Sequence, residues 1–299
     1  MPAAAWGMLV TLSILWGGSF LFIRVAVAEI PTLSVVLARV AIAATTLLLV
    51  ARLTGVAMPR DRLAWRDYLV MGLLNNVVPF VLIVWGQRTI GAGLASILNA
   101  TTPIFGVVVA HLFTADDKAT PLKAAGIALA FVGVAVLVGI DAFAGFADHL
   151  LAELACLGAA LSYGFSGLWS RRFRGRPPIA TAAGQLTCSS LVLAPAVLLL
   201  DPPWTHAAPG AVAAAAVLGL ALLSTAVAYI LFFRLTTAVG PTNTMLVTFL
   251  IPPSAILLGF AVLGERLAPQ HLAGVALIGL GLLAVDGRLA RRFAAARTP

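Results

Sequence analysis

Ten times along this chain, about 20 consecutive residues pass with almost no charged side chain, the length a helix needs to cross the hydrocarbon core of a bilayer. The segments lie near 3–23, 32–51, 68–86, 92–113, 121–140, 150–170, 179–200, 210–233, 241–262 and 270–286. Lipid offers no partners for backbone N–H and C=O groups, so each segment must satisfy its own, which an α-helix does. Of 299 residues, 61% are hydrophobic and 10% charged, against roughly 25% charged in a soluble domain. The expected fold is an all-α membrane protein of ten transmembrane helices. The first segment starts almost at Met1 with no basic stretch before it, and reads as a retained span rather than a cleaved signal peptide.

Lys and Arg set the orientation. Ten spans put both termini on one side. If that side is the cytoplasm, inner loops and tail hold Arg52, Arg60, Arg62, Arg66, Lys118, Lys123, Arg171, Arg172, Arg174, Arg176, Arg234, Arg288, Arg291, Arg292 and Arg297. Outer loops hold only Arg24, Arg88 and Arg266. Basic loops stay inside, so both termini are expected in the cytoplasm. The net charge of +8 is then a topology signal and a contact with anionic inner-leaflet lipid. It is spread over five short stretches, unlike a nucleic-acid patch. Cys156 and Cys188 sit in apolar segments as small hydrophobes, and the four histidines have no metal-ligand spacing. No cofactor or metal is implied.

The chain repeats itself. ILWGGSFLFIR (14–24) aligns with LSYGFSGLWSR (161–171), and Gly91, Pro103 and Asp116 match Gly240, Pro252 and Glu265 at one offset of 149 residues. Each half has five spans. Five is odd, so the second half crosses the membrane in the opposite sense, a construction found in secondary transporters with substrate held near mid-membrane. The halves are placed at 1–140 and 150–288, joined by an outer loop at 141–149, with a basic cytoplasmic tail at 289–299.

Polar residues mark the middle of these spans. A proline lacks its amide hydrogen and pushes away the carbonyl four residues earlier. That carbonyl belongs to Asn75 for Pro79, to Asn99 for Pro103 and to Thr248 for Pro252. Broken backbone at this depth is tolerated only against protein or a wet cavity, so spans three, four and nine are expected to share one. A threonine there repairs its own helix more readily than it binds substrate, whereas the amides of Asn75, Asn76 and Asn99 have more capacity than one kink needs. The candidate substrate-binding residues are Trp16, Ser19, Asn75, Asn76, Asn99, Thr102, Tyr163, Ser166, Gln185, Tyr229 and Thr248, with Trp16 and Tyr163 as aromatic walls. Gly17, Gly18, Pro79, Pro103, Pro252 and Pro253 are candidate helix-breaking or gating positions. Arg39, about 10 Å below the outer end of span two at 1.5 Å per residue, is either structural, as a tether to backbone carbonyls at helix ends or a group snorkelling outwards, which is the favoured reading, or a partner for a substrate carboxylate. Gly126 with Ala130 and Ala135 with Gly139 give span five a smooth face, as in span ten. These two spans read as a scaffold pair and a possible homodimer surface.

WGGSFLFIRVAV, the Arg39 in LSVVLARVAIAATTLLL, LLNNVVPFVLIVWGQ, GLASILNATTPIFGVVVAHL and TFLIPPSAILLGFAVLGERLAPQHLAGVALIGLGLL resemble the drug/metabolite transporter superfamily, in its ten-span EamA-type branch. The similarity covers essentially the whole chain. It implies an alternating-access permease or exporter of small metabolites in a bacterial-type inner membrane. No acidic residue lies at mid-depth, which disfavours exchange of lipophilic cations for protons and favours neutral or zwitterionic metabolites, amino acids or related compounds foremost. A passive facilitator of the same fold is the alternative. An integral-membrane enzyme is the lesser one, since no acid–base pair or nucleophile cluster is recognisable.

Overall fold

The computed structural model describes residues 2–115, 120–138, 149–263 and 269–286. Among them every regular element is helical: α1 (Ala3–Ala26), α2 (Thr32–Leu53), α3 (Arg62–Gly72), a first π-turn (Leu73–Val77), α4 (Val78–Gly86), α5 (Ala92–Asn99), α6 (Thr102–Phe113), α7 (Pro121–Val138), α8 (Leu150–Ser170), α9 (Pro178–Leu200), α10 (Ala211–Ala221), a second π-turn (Leu222–Val227), α11 (Ala228–Val239), α12 (Pro241–Met245), α13 (Val247–Leu263) and α14 (Pro269–Asp286), with two short 3-10 turns. Seven helical stretches among the described residues are long and apolar enough to cross a membrane, and Pro121–Val136 and Ala273–Leu282 are shorter apolar helices. The connecting loop at 141–148, Asp116, Lys118, Gly139, Glu265, Arg266 and the tail at 289–299 lie outside the described residues.

Two expectations are corrected. The third helical stretch begins at Arg62, ahead of the apolar run, because the Asp61 carboxylate caps it by accepting from the Ala64 amide at 2.7 Å. Its first two turns carry Arg62, Arg66 and Asp67, which hide a helix start from hydropathy. The helix-breaking positions also divide. α1 runs unbroken through Gly17 and Gly18, and α13 runs unbroken through Pro252 and Pro253. Span nine breaks at Leu246 instead, and span four at Ala100 and Thr101. Pro103 stands in the first turn of α6, after that break, where a missing N–H removes no helical bond, whereas Pro79 follows the first π-turn inside one continuous helical stretch.

Gly17 has a different task. A Cβ there would lie 2.9 Å from the Ala255 nitrogen and 3.1 Å from the Ile251 oxygen, so α1 and α13 cross backbone to backbone. Its repeat partner Gly164 does the same for α8 and α6, 3.1 Å from the Phe105 carbonyl carbon. α7 and α14 meet along a seam in which a Cβ on Gly133 would be 2.7 Å from the Ile278 nitrogen, and one on Gly281 2.6 Å from the Ala130 nitrogen. The smooth faces of spans five and ten are therefore spent on each other within the chain.

The two π-turns begin 149 residues apart, the offset of the sequence repeat. A π-turn displaces carbonyls from their usual partners, and buried carbonyls need replacements. Ser162 Oγ donates to the Leu74 oxygen at 2.7 Å, and the Tyr229 hydroxyl lies 3.2 Å from the Asn75 oxygen. In the second turn Thr225 Oγ1 donates to the Leu220 oxygen at 2.8 Å. Side chains complete what the backbone gives up.

Candidate functional site

α1, α2, the first π-turn, α4, α5, α6, α8, α11, α12 and α13 line a central, partly open cavity, with about 730 Å³ of empty space counting its open mouth. Trp16, Ser19, Arg39, Asn75, Asn99 and Thr102 line it from the first half of the chain; Tyr163, Ser166, Tyr229 and Thr248 line it from the second. Asn76 and Gln185 do not. Both are fully buried behind the wall, at 0% exposure.

Their bonds explain the placement. Asn76 Nδ2 donates to Ser189 Oγ at 2.9 Å, and its Oδ1 accepts from the Tyr229 hydroxyl at 2.6 Å. Asn75 Nδ2 reaches Gln185 Oε1 at 3.4 Å, and its Oδ1 accepts from Ser166 Oγ at 3.2 Å. The amides of the first π-turn thus bind α9, α8 and α11, leaving Asn75 one edge on the cavity. The hydroxyls mostly repair backbone. Thr102 Oγ1 donates at 2.7 Å to the Asn99 oxygen that Pro103 displaces; Thr248 bonds the Met245 oxygen at 2.9 Å and Ser19 the Trp16 oxygen at 2.6 Å.

Two lining groups have capacity to spare. Asn99 is 4% exposed, and its Oδ1 is buried without a hydrogen-bond partner among the described residues. Arg39 is also 4% exposed. Its Nε donates to Thr225 Oγ1 at 2.8 Å and its guanidinium lies 3.6 Å from the Phe80 ring centroid, a cation–π contact. Among the described residues no carboxylate pairs with it, and its side-chain hydrogen bond is made from Nε. It does not snorkel outwards. It is tethered along one edge and faces the cavity with the other.

Residues that composition gives no reason to select complete the wall: Phe20, Ile23, Phe80, Ile83, Val84, Phe232 and Ile251. Trp16, Tyr229 and Phe232 form an aromatic cluster, with Trp16 and Phe232 centroids 5.6 Å apart. Met245 lines both this cavity and a smaller one of about 240 Å³ that reaches Arg171. Its thioether sits against Gly106 and Gly167, where any Cβ would collide with it.

The EamA-like transporter family model matches residues 3–139 and again 150–285. The chain belongs to the EamA-like transporter family. As an EamA-like transporter it is 28% identical over 303 residues to the "Probable terminal-alkyne amino-acid exporter" of Streptantibioticus cattleyicolor, a match covering 100% of this chain and 98% of that one. It is 26% identical over 262 residues to the "Uncharacterized inner membrane transporter YedA" of Escherichia coli K12, covering 88% and 84%. A solved structure titled "Crystal structure of protein" shares the fold at TM-score 0.77 and 18% identity, covering 98% of this chain and 100% of that one. The family and these names point to a multi-pass membrane transporter rather than an enzyme.

Proposed function

We propose that this EamA-like transporter is an alternating-access secondary transporter that exports small neutral or zwitterionic metabolites, amino acids or related compounds, across a bacterial-type inner membrane. Ten spans in two inverted five-helix halves, with both termini cytoplasmic, rock about the central cavity. The observation that carries this reading is the cavity itself, lined by side chains from both halves that the family model matches. Its wall has aromatic and aliphatic surface, a few polar groups and no Asp or Glu among the described residues, which suits a substrate without net positive charge. The duplicated π-turns, and the α1–α13 and α8–α6 crossings at partner glycines, support halves related by a two-fold axis in the membrane plane. The amino-acid exporter among its relatives supports the substrate class. A homodimer would use a face of the α7–α14 pair other than its glycine seam, and the basic inner loops would rest on anionic lipid.

An untargeted comparison of metabolites released by cells with and without the protein tests the reading. It predicts one or a few amino-acid-like compounds raised outside expressing cells. Equal release of every metabolite would overturn it.

A further inference from the structure

We propose that the cavity reads an amino acid by its two charged ends: the free edge of Arg39 binds the carboxylate, and Asn99 Oδ1 accepts from the ammonium group. The proposal rests on the transport reading above and adds which atoms select the substrate.

Arg39 is the starting point. An ionised group held out of water without a counter-charge is costly, and this one is 4% exposed with no carboxylate beside it among the described residues. Nor is it loosely placed. Thr225 uses its own proton on the Leu220 oxygen and so presents a lone pair to Arg39 Nε, while Phe80 covers the guanidinium face. What remains is the pair of η-amino groups, the edge that a planar carboxylate meets in two parallel bonds. The other lining residues include no Lys, Arg or His. One positive charge suits one carboxylate better than a phosphate dianion.

Asn99 supplies the second half. Its Oδ1 is buried without a donor, a cost that persists only where something else provides the N–H. Arg39 and Asn99 each lie seven residues into α2 and α5, about 10 Å along their helices. Both helices start from outer loops in the proposed topology, and both side chains line the same cavity. An ammonium group next to a carboxylate offers the missing donor and the missing anion in one small molecule. Around them Phe20, Ile23, Ile83 and Val84 suit an uncharged apolar side chain.

The test is binding of matched ligands to the purified full-length protein in detergent, by calorimetry. L-Leucine, L-phenylalanine and L-methionine each carry both ends; the corresponding amides keep the ammonium without the carboxylate; the corresponding desamino acids keep the carboxylate without the ammonium. At least one amino acid is expected to bind about tenfold or more tightly than either of its analogues, as charge-assisted bonds require. In Arg39→Gln the amino acid and its amide should converge; in Asn99→Leu the amino acid and its desamino analogue should converge. The series on the unaltered protein decides the matter even if a variant misfolds. Equal binding of amino acid and amide by the wild type, unchanged binding by Arg39→Gln, or no binding of any amino acid overturns the proposal. The transport reading stands or falls separately on the metabolite comparison.

Discussion

The Tyr229 hydroxyl donates to Asn76 Oδ1 at 2.6 Å and lies 3.2 Å from the Asn75 carbonyl oxygen, so one residue of α11 ties the second half of the chain to the first π-turn. That oxygen is the one Pro79 displaces. The two halves of the chain are thus joined by a buried side-chain hydrogen bond at the cavity wall.

Tyr229→Phe should therefore destabilise the protein without opening space. It leaves the Asn76 oxygen, at 0% exposure, without its donor, a loss of about 1–3 kcal/mol. Thermal unfolding in detergent measures it. A variant as stable as the parent would show that this bond contributes nothing.

Asn99 and Thr102 should separate stability from transport. Thr102→Val removes the donor to the Asn99 carbonyl and should cost about 1 kcal/mol. Asn99→Leu replaces a buried oxygen that has no partner. Its stability should hold or rise while uptake into inverted vesicles falls. Stability and transport measured together on both variants check the contrast.

How legible was this in the sequence? Hydropathy places the helical stretches closely, because lipid allows few alternatives to helix. It misses the start of α3, where Asp61 and two arginines supply a cap and polar first turns. It misses both π-turns, since LLNNV and LLSTAV differ from α-helical sequence only in their polar pairs. Those pairs drew attention to Asn75 and Asn76, and the structure shows what the extra amide capacity is used for. Asn76 serves the turn and its neighbours; Asn99 keeps its capacity for the cavity. The apolar wall, from Phe20 to Ile251, could not be told from core by composition. The same holds inside the chain for Asp67, which is buried among Arg172 at 3.6 Å, Arg176 at 3.7 Å and Arg66 at 3.9 Å. These arginines read only as topology signals in sequence.

Gly17 and Gly18 are adjacent but should behave differently. Gly17→Val forces a side chain into the Ala255 and Ile251 backbone and should cost at least about 1–3 kcal/mol by overpacking. Gly18→Ala meets Leu258 Cδ1 at 3.7 Å and Phe22 Cε2 at 4.0 Å, ordinary contacts, and should be tolerated. Expression level and unfolding temperature of the two variants compare them directly.

The central claim is a wet cavity between two opposed halves that opens to each face in turn. Thiol labelling of a single cysteine at Thr102→Cys, in a chain whose Cys156 and Cys188 are replaced by alanine, tests it most directly. Membrane-impermeant reagent should label that position when applied to intact cells and again when applied to inside-out vesicles, with bound amino acid slowing both reactions. A cysteine there that reacts from neither face, in any condition, would contradict the account.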